Sequence, residues 1–82
     1  MSESEFKICV AFDGSSAAQL VQTASRFKSH ISLVVGDKVA NAKSIMGIIS
    51  LGLQCGDIIK VVASGEDEQM VFDELNFLGE MS

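Results

Sequence analysis

Apolar and polar residues alternate with a period of two from Phe6 to Phe12, where Phe6, Ile8, Val10 and Phe12 are separated by Lys7, Cys9 and Ala11. That period predicts a half-buried first strand. Asp13-Gly14 is turn chemistry, and Ser15 or Ser16 is suited to cap a following helix. The period then changes: Ala17, Leu20, Val21, Ala24 and Phe27 recur at helical spacing on one face, which predicts a helix ending near Lys28. A second strand from Ile31 to Val35 and a short third around Lys38 to Ala40 are joined by Gly36-Asp37, a hairpin in both spacing and turn chemistry.

Ser44 opens a short helix. A fourth strand is expected from about Asp57 to Ser64, with Ile59, Val61 and Ala63 on one face and Ile58, Lys60 and Val62 on the other, ended by Gly65. The last helix is expected over Asp67 to Leu78, with acidic residues in its first turn and Val71, Leu75 and Leu78 as its inner stripe. The order is βαββαβα. Short connections and one apolar stripe per helix predict an α+β fold: one mostly antiparallel four-stranded sheet with three helices packed on one face. No linker or internal repeat divides the 82 residues, so residues 1–82 are expected to form a single domain.

The middle helix is unusual. Between Ser44 and Leu53 the apolar residues Ile45, Met46, Ile48, Ile49, Leu51 and Leu53 cover more than half of the circumference, wider than the stripe a surface helix needs. Ile48 and Leu51 can point one way while Ile45, Met46 and Ile49 point another. One set then packs on the sheet and the other forms an exposed docking patch; burial of most of the segment in a small core is the competing reading. Ser44 is open in the same way. A serine at a helix start is commonly an N-cap worth about 1 kcal/mol, yet beside Lys43 and an apolar patch it is also a candidate phosphosite. A phosphate there would add roughly −1.5 to −2 charges against free helix N–H groups, which the helix dipole tolerates.

Charge and composition narrow the class. Apolar residues make up 48% and charged residues 21%, the balance of a packed chain rather than a disordered one. The formal net charge of −5, with acidic residues concentrated from Glu66 onward, is opposite to the footprint of a nucleic-acid binder, so direct partners are expected to be proteins. Cys9 and Cys55 form no CxxC pair and have no histidine cluster beside them, which argues against a metal site or redox motif, and no cofactor is expected. No apolar run is long enough to span a bilayer, and the start MSESEFK lacks a basic region followed by an apolar core, so a cytoplasmic location with reduced thiols is expected.

Lys43-Ser44-Ile45-Met46-Gly47, continuing as Ile48-Ile49-Ser50-Leu51-Gly52, resembles the regulatory-serine segment of HPr and its catabolite-repression paralogue. Val21-Gln22-Thr23-Ala24-Ser25, Val39-Ala40-Asn41-Ala42 and Ala63-Ser64-Gly65-Glu66-Asp67-Glu68 match family positions in the same order and spacing. The resemblance covers nearly the whole chain and implies the HPr-like open-faced sandwich. It also implies two functions: a phosphoryl group carried on a histidine at the start of the first helix and passed to sugar-transport components, and phosphorylation of the segment's serine by HPr kinase/phosphorylase. The phosphoserine form in the family binds a catabolite-control repressor, and the middle helix is the shared docking surface.

The carrier motif does not carry over. The family pattern Gly, any residue, His, Ala, Arg, Pro, Ala stands against Ala11-Phe12-Asp13-Gly14-Ser15-Ser16-Ala17, which puts Asp13 at the histidine, Ser15 at the arginine and Ser16 at the proline. The stretch from Phe6 is about two residues short, and no shift restores a histidine. The lone His30, between the first helix and the second strand, fits a solvated loop residue better than a catalytic one. Helix amides would suit a phosphorylated Asp13, but no arginine or acidic metal-binding cluster stands nearby in sequence to activate it, and Asp13 in Asp-Gly is more simply a turn residue.

Three functions follow. The favoured one is a non-catalytic regulator, phosphorylated on Ser44 and docking through Lys43, Ile45, Met46 and Ile49 in carbon catabolite regulation. The second is a phosphocarrier of the phosphoenolpyruvate-dependent phosphotransferase system with a non-histidine acceptor. The third is an interaction module that docks HPr partners without phosphorylation. A homodimer, for example by exchange of the first strand, is compatible with each.

Overall fold

In the computed structural model, residues 1–10 and 12–81 are described; Ala11, expected in the first strand, and Ser82 lie outside them. Five strands form one sheet in the order β3-β2-β4-β1-β5, with every neighbouring pair antiparallel. They are β1 (Ser2–Ile8), β2 (His30–Val35), β3 (Lys38–Asn41), β4 (Ile58–Ser64) and β5 (Gly79–Met81). The helices are α1 (Gly14–Ser25), α2 (Ile45–Ser50) and α3 (Glu68–Glu74), the last followed by a 3-10 turn at Asn76–Leu78. β4 sits centrally: Ile59 faces Phe6 across one side, and Val61 lies between Ser4 and Leu33. The expected alternation holds there, with Ile59, Val61 and Ala63 buried and Ile58 exposed. The helices cover that face, their residues Leu20, Ala24, Ile48, Val71 and Phe72 joining the strands in one core cluster.

The fold class agrees with the sequence reading; the strand count and four local expectations do not. First, β1 begins at Ser2 and ends at Ile8 rather than running from Phe6 to Phe12. Ser2 to Lys7 pair with β4, which a row of polar residues can do as well as apolar ones, whereas beyond Ile8 the ladder has no partner in β4. Second, the cap of α1 is Asp13, not Ser15 or Ser16. Asp13 has extended backbone, its Oδ1 accepts from the Ser16 N–H at 3.1 Å, and its carbonyl accepts from the Ala17 N–H at 3.0 Å. Third, α1 stops at Ser25, three residues before Lys28, because the N–H groups of Arg26 and Phe27 bond back to Thr23 and Ala24 in tighter turns.

Fourth, the last helix does not continue to Leu78. α3 ends at Glu74, the chain tightens into the 3-10 turn that buries Leu78, and residues 79–81 then pair with β1, Gly79 against Ile8 and Met81 against Phe6. That adds the fifth strand. Gly79 lies so close to the Lys7 carbonyl that a Cβ could not fit between them.

A polar tie joins the chain just after α1 to the cap of α3. The buried Ser29 hydroxyl donates to Asp67 Oδ1, which also accepts from the Ser29 N–H at 3.0 Å, while Oδ2 accepts from the Lys28 N–H at 2.9 Å. These bonds, led by the Ser29 hydroxyl, hold the Asp67 carboxyl below the usual range. Glu68 is lowered too, chiefly by the Ser2 hydroxyl and then by the Gly65 N–H. Among the described residues no helix is long and apolar enough to cross a membrane.

Candidate functional site

α2 is built around the backbone needs of its own start. Asn41, at the end of β3, accepts from the Lys43 N–H on Oδ1 at 2.9 Å and from the Ser44 N–H on its carbonyl at 3.0 Å, which turns the chain out of the sheet. Ser44 then caps the helix: its Oγ accepts from the Gly47 N–H at 3.3 Å and its carbonyl from the Ile48 N–H at 3.1 Å. A Cβ on Gly47 would come to 3.4 Å from Ser44 Oγ, an ordinary van der Waals contact. Ser44 is exposed at the helix start.

The apolar ring of α2 divides in two. Ile48 is fully buried, Leu51 and Leu53 follow it into the core, and Ile45, Met46 and Ile49 are 38%, 70% and 52% exposed. Of the two readings open in sequence, the divided helix is the one present. Lys43 is placed differently from its neighbours: its Nζ donates to the Phe27 carbonyl at 2.8 Å, so its charge lies against the end of α1.

One edge of α2, at Ile48 and Ile49, meets the start of α1. A cleft of about 230 Å³ is walled by Phe12, Asp13 and Gly14 on one side and by Ile48, Ile49 and Leu53 on the other. Asp13 and Ile49, far apart in sequence, thus share one hollow beside the Ser44 helix. Sequence patterning missed the part played by Phe12 and Leu53; the Gly52 that follows α2, with a positive φ of 63°, was the local sign that the chain turns sharply there.

Asp13 is exposed and uses Oδ1 for its capping bond, with Ser15 exposed and Ser16 half-buried in the first turn behind it. His30 is the first residue of β2 rather than a loop residue, and it is exposed. It follows the C-terminal end of α1, a helix of 12 residues, or about 18 Å, so it stands at the far end from Asp13. Among the described residues no group of three or more His, Cys, Asp or Glu side chains could hold a metal ion.

Comparison with known proteins places this arrangement. Residues 12–80 match the family model described as PTS HPr component phosphorylation site. The chain is 39% identical over 71 residues to the HPr-like protein Crh of Bacillus subtilis (strain 168), covering 87% of this chain and 84% of that one. The crystal structure of that Crh, described as a dimer with a swapped domain, superposes with a TM-score of 0.76 at 36% identity over 88% of this chain and 84% of its own. The phosphocarrier protein HPr of Buchnera aphidicola is 42% identical over 62 residues, 76% of this chain and 73% of its own. HPr-C-His from Thermoanaerobacter tengcongensis superposes with a TM-score of 0.89 at 39% identity over 98% of each chain. With the family match spanning most of the chain and the folds superposing, the protein belongs to the HPr family.

Proposed function

We propose that this protein is a non-catalytic regulatory member of the HPr family, phosphorylated on Ser44 by an HPr kinase/phosphorylase and acting in carbon catabolite regulation through protein–protein binding. The observation that carries the proposal is the α2 surface: an exposed Ser44 hydroxyl at the helix start, continuous with the exposed side chains of Ile45, Met46 and Ile49. Phosphorylation changes the charge of that surface without touching Ile48, which anchors the helix. A catabolite-control repressor is the partner in this reading, and the cytoplasm its place. Residues 1–82 act as one HPr-like domain, and the swapped dimer described for Crh makes a homodimer a second assembly to test.

The carrier position of the family falls on Asp13 in this proposal. Its carboxylate is engaged in capping α1, the neighbouring positions are Ser15 and Ser16, and the lone histidine lies at the other end of the helix. These features favour regulation over phosphoryl transfer. The test is incubation with ATP and an HPr kinase: wild type should take up phosphate, and both Ser44→Ala and Ser44→Asn should not, the asparagine keeping the helix capped. Label that persists in Ser44→Asn contradicts the assignment.

A further inference from the structure

The two cysteines, 46 positions apart in sequence, flank the backbone bonds that close the end of β1. The Ile8 N–H donates to the Asp57 carbonyl at 2.8 Å, and the Gly56 N–H donates to the Ile8 carbonyl at 2.7 Å, so two residues of one chain segment oppose one of the other in a glycine bulge. Gly56 has the positive φ that such a bulge requires, 100°. The second bond joins the peptide unit Cys55-Gly56 to the peptide unit Ile8-Cys9. Cys9 and Cys55 lie just outside that bond, where a continuing antiparallel ladder would place a non-hydrogen-bonded pair with Cα atoms about 4.5 Å apart. A disulfide spans Cα separations of about 4.4–6.8 Å.

Both partners are held by backbone bonds and both are exposed. The Cys9 N–H donates to the Leu78 carbonyl at 3.0 Å. Cys55 occupies the corner of a turn closed by the Asp57 N–H on the Gln54 carbonyl at 3.0 Å and by the Gln54 N–H on Asp57 Oδ2 at 2.9 Å. The Cys9 thiol makes one exposed contact, with the Lys7 carbonyl at 3.3 Å, a weak bond that is readily given up.

We propose that Cys9 and Cys55 are a redox-responsive pair that closes to an intramolecular disulfide on reaction with a low-molecular-weight disulfide. The thiolate of one cysteine attacks a sulfur of the reagent, forming a mixed disulfide and expelling one reagent thiolate. The thiolate of the other then attacks the protein-bound sulfur and expels the second. Two protein thiols are oxidised to one disulfide, the reagent disulfide is reduced to two thiols, and both protein protons end on the departing thiolates. The bond would tie Cys9 to Cys55, two residues beyond Leu53, which lines the cleft beside α2.

The test is incubation of the full chain with oxidised glutathione, followed by intact-mass measurement and thiol alkylation. The expected product is a monomer lighter by two hydrogens, with both alkylatable thiols lost and restored by dithiothreitol, while Cys55→Ser stops at a glutathione adduct on Cys9. Both side chains are exposed, so serine leaves the core packing untouched. Lasting glutathione adducts on both cysteines of the wild type, or chain-to-chain disulfides in place of the internal one, would overturn the proposal.

Discussion

The Lys43 ammonium donates to the Phe27 carbonyl at 2.8 Å, so the residue that precedes the α2 cap is tied to the chain just beyond the end of α1. The bond gives the Phe27 carbonyl, just past the helix, a charged donor. Lys43→Met keeps the aliphatic stem and deletes the donor. It should lower the stability to denaturant by about 1 kcal/mol, read as a shifted urea midpoint with unchanged slope. An unchanged midpoint would show that the bond contributes nothing to the fold.

Neighbouring positions of α2 should behave oppositely. Met46 is 70% exposed and Ile48 fully buried, two residues apart on a six-residue helix. Met46→Asp should change stability by no more than about 0.5 kcal/mol while weakening binding to HPr kinase in a titration. Ile48→Ala should cost about 2–5 kcal/mol. Equal loss of stability in both variants would mean that the exposed face is part of the core after all.

Acid should weaken the fold through Asp67 and Glu68. Both carboxyls are held below the usual range by hydrogen bonds, so near their titration the unfolded chain binds more protons than the folded one. Their contribution is therefore complete above about pH 5 and is lost as pH falls through the folded-state values. Urea midpoints measured from roughly pH 3 to 6 should rise with pH, and Asp67→Asn should flatten that rise. A slope unchanged by the substitution would remove Asp67 from the explanation.

The fifth strand depends on Gly79. A Cβ there would collide with the Lys7 carbonyl, so Gly79→Ala should force β5 off the edge of β1. Hydrogen exchange offers the direct readout: the Cys9 amide, which donates to the Leu78 carbonyl, should exchange faster in the variant. The amides between β2 and β4 should keep their protection. Uniform acceleration across the sheet would instead mean that β5 holds up the whole fold.

The elements that sequence patterning located well are those in which burial sets the period. Ile59, Val61 and Ala63 in β4, Leu20 and Ala24 in α1, Val71 in α3 and Leu75 just past its end all point inward as their spacing requires. Failures came where backbone bonding set the structure. The first half of β1 is Ser2 to Glu5, which pairs with β4 through main-chain groups and has no apolar row to announce it. β5 opens on a glycine, a residue that weakens strands in general but here permits a close approach. Asp13 resembled a turn because Asp-Gly is turn chemistry, and a capping aspartate has the same local sequence. For the candidate site, the division of α2 into buried Ile48 and exposed Ile45, Met46 and Ile49 followed from helical geometry. The cleft with Asp13 did not, because it depends on how α1 and α2 pack together, which no single segment encodes.

Regulation through Ser44 without carrier chemistry is best tested by mass spectrometry after two separate incubations, one with ATP and HPr kinase, the other with phosphoenolpyruvate and the first enzyme of the phosphotransferase system. The account predicts a single phosphoryl group on Ser44 in the first and an unmodified chain in the second. A hydroxylamine-labile phosphoryl group on Asp13 in the second, or an unmodified Ser44 in the first, would contradict it.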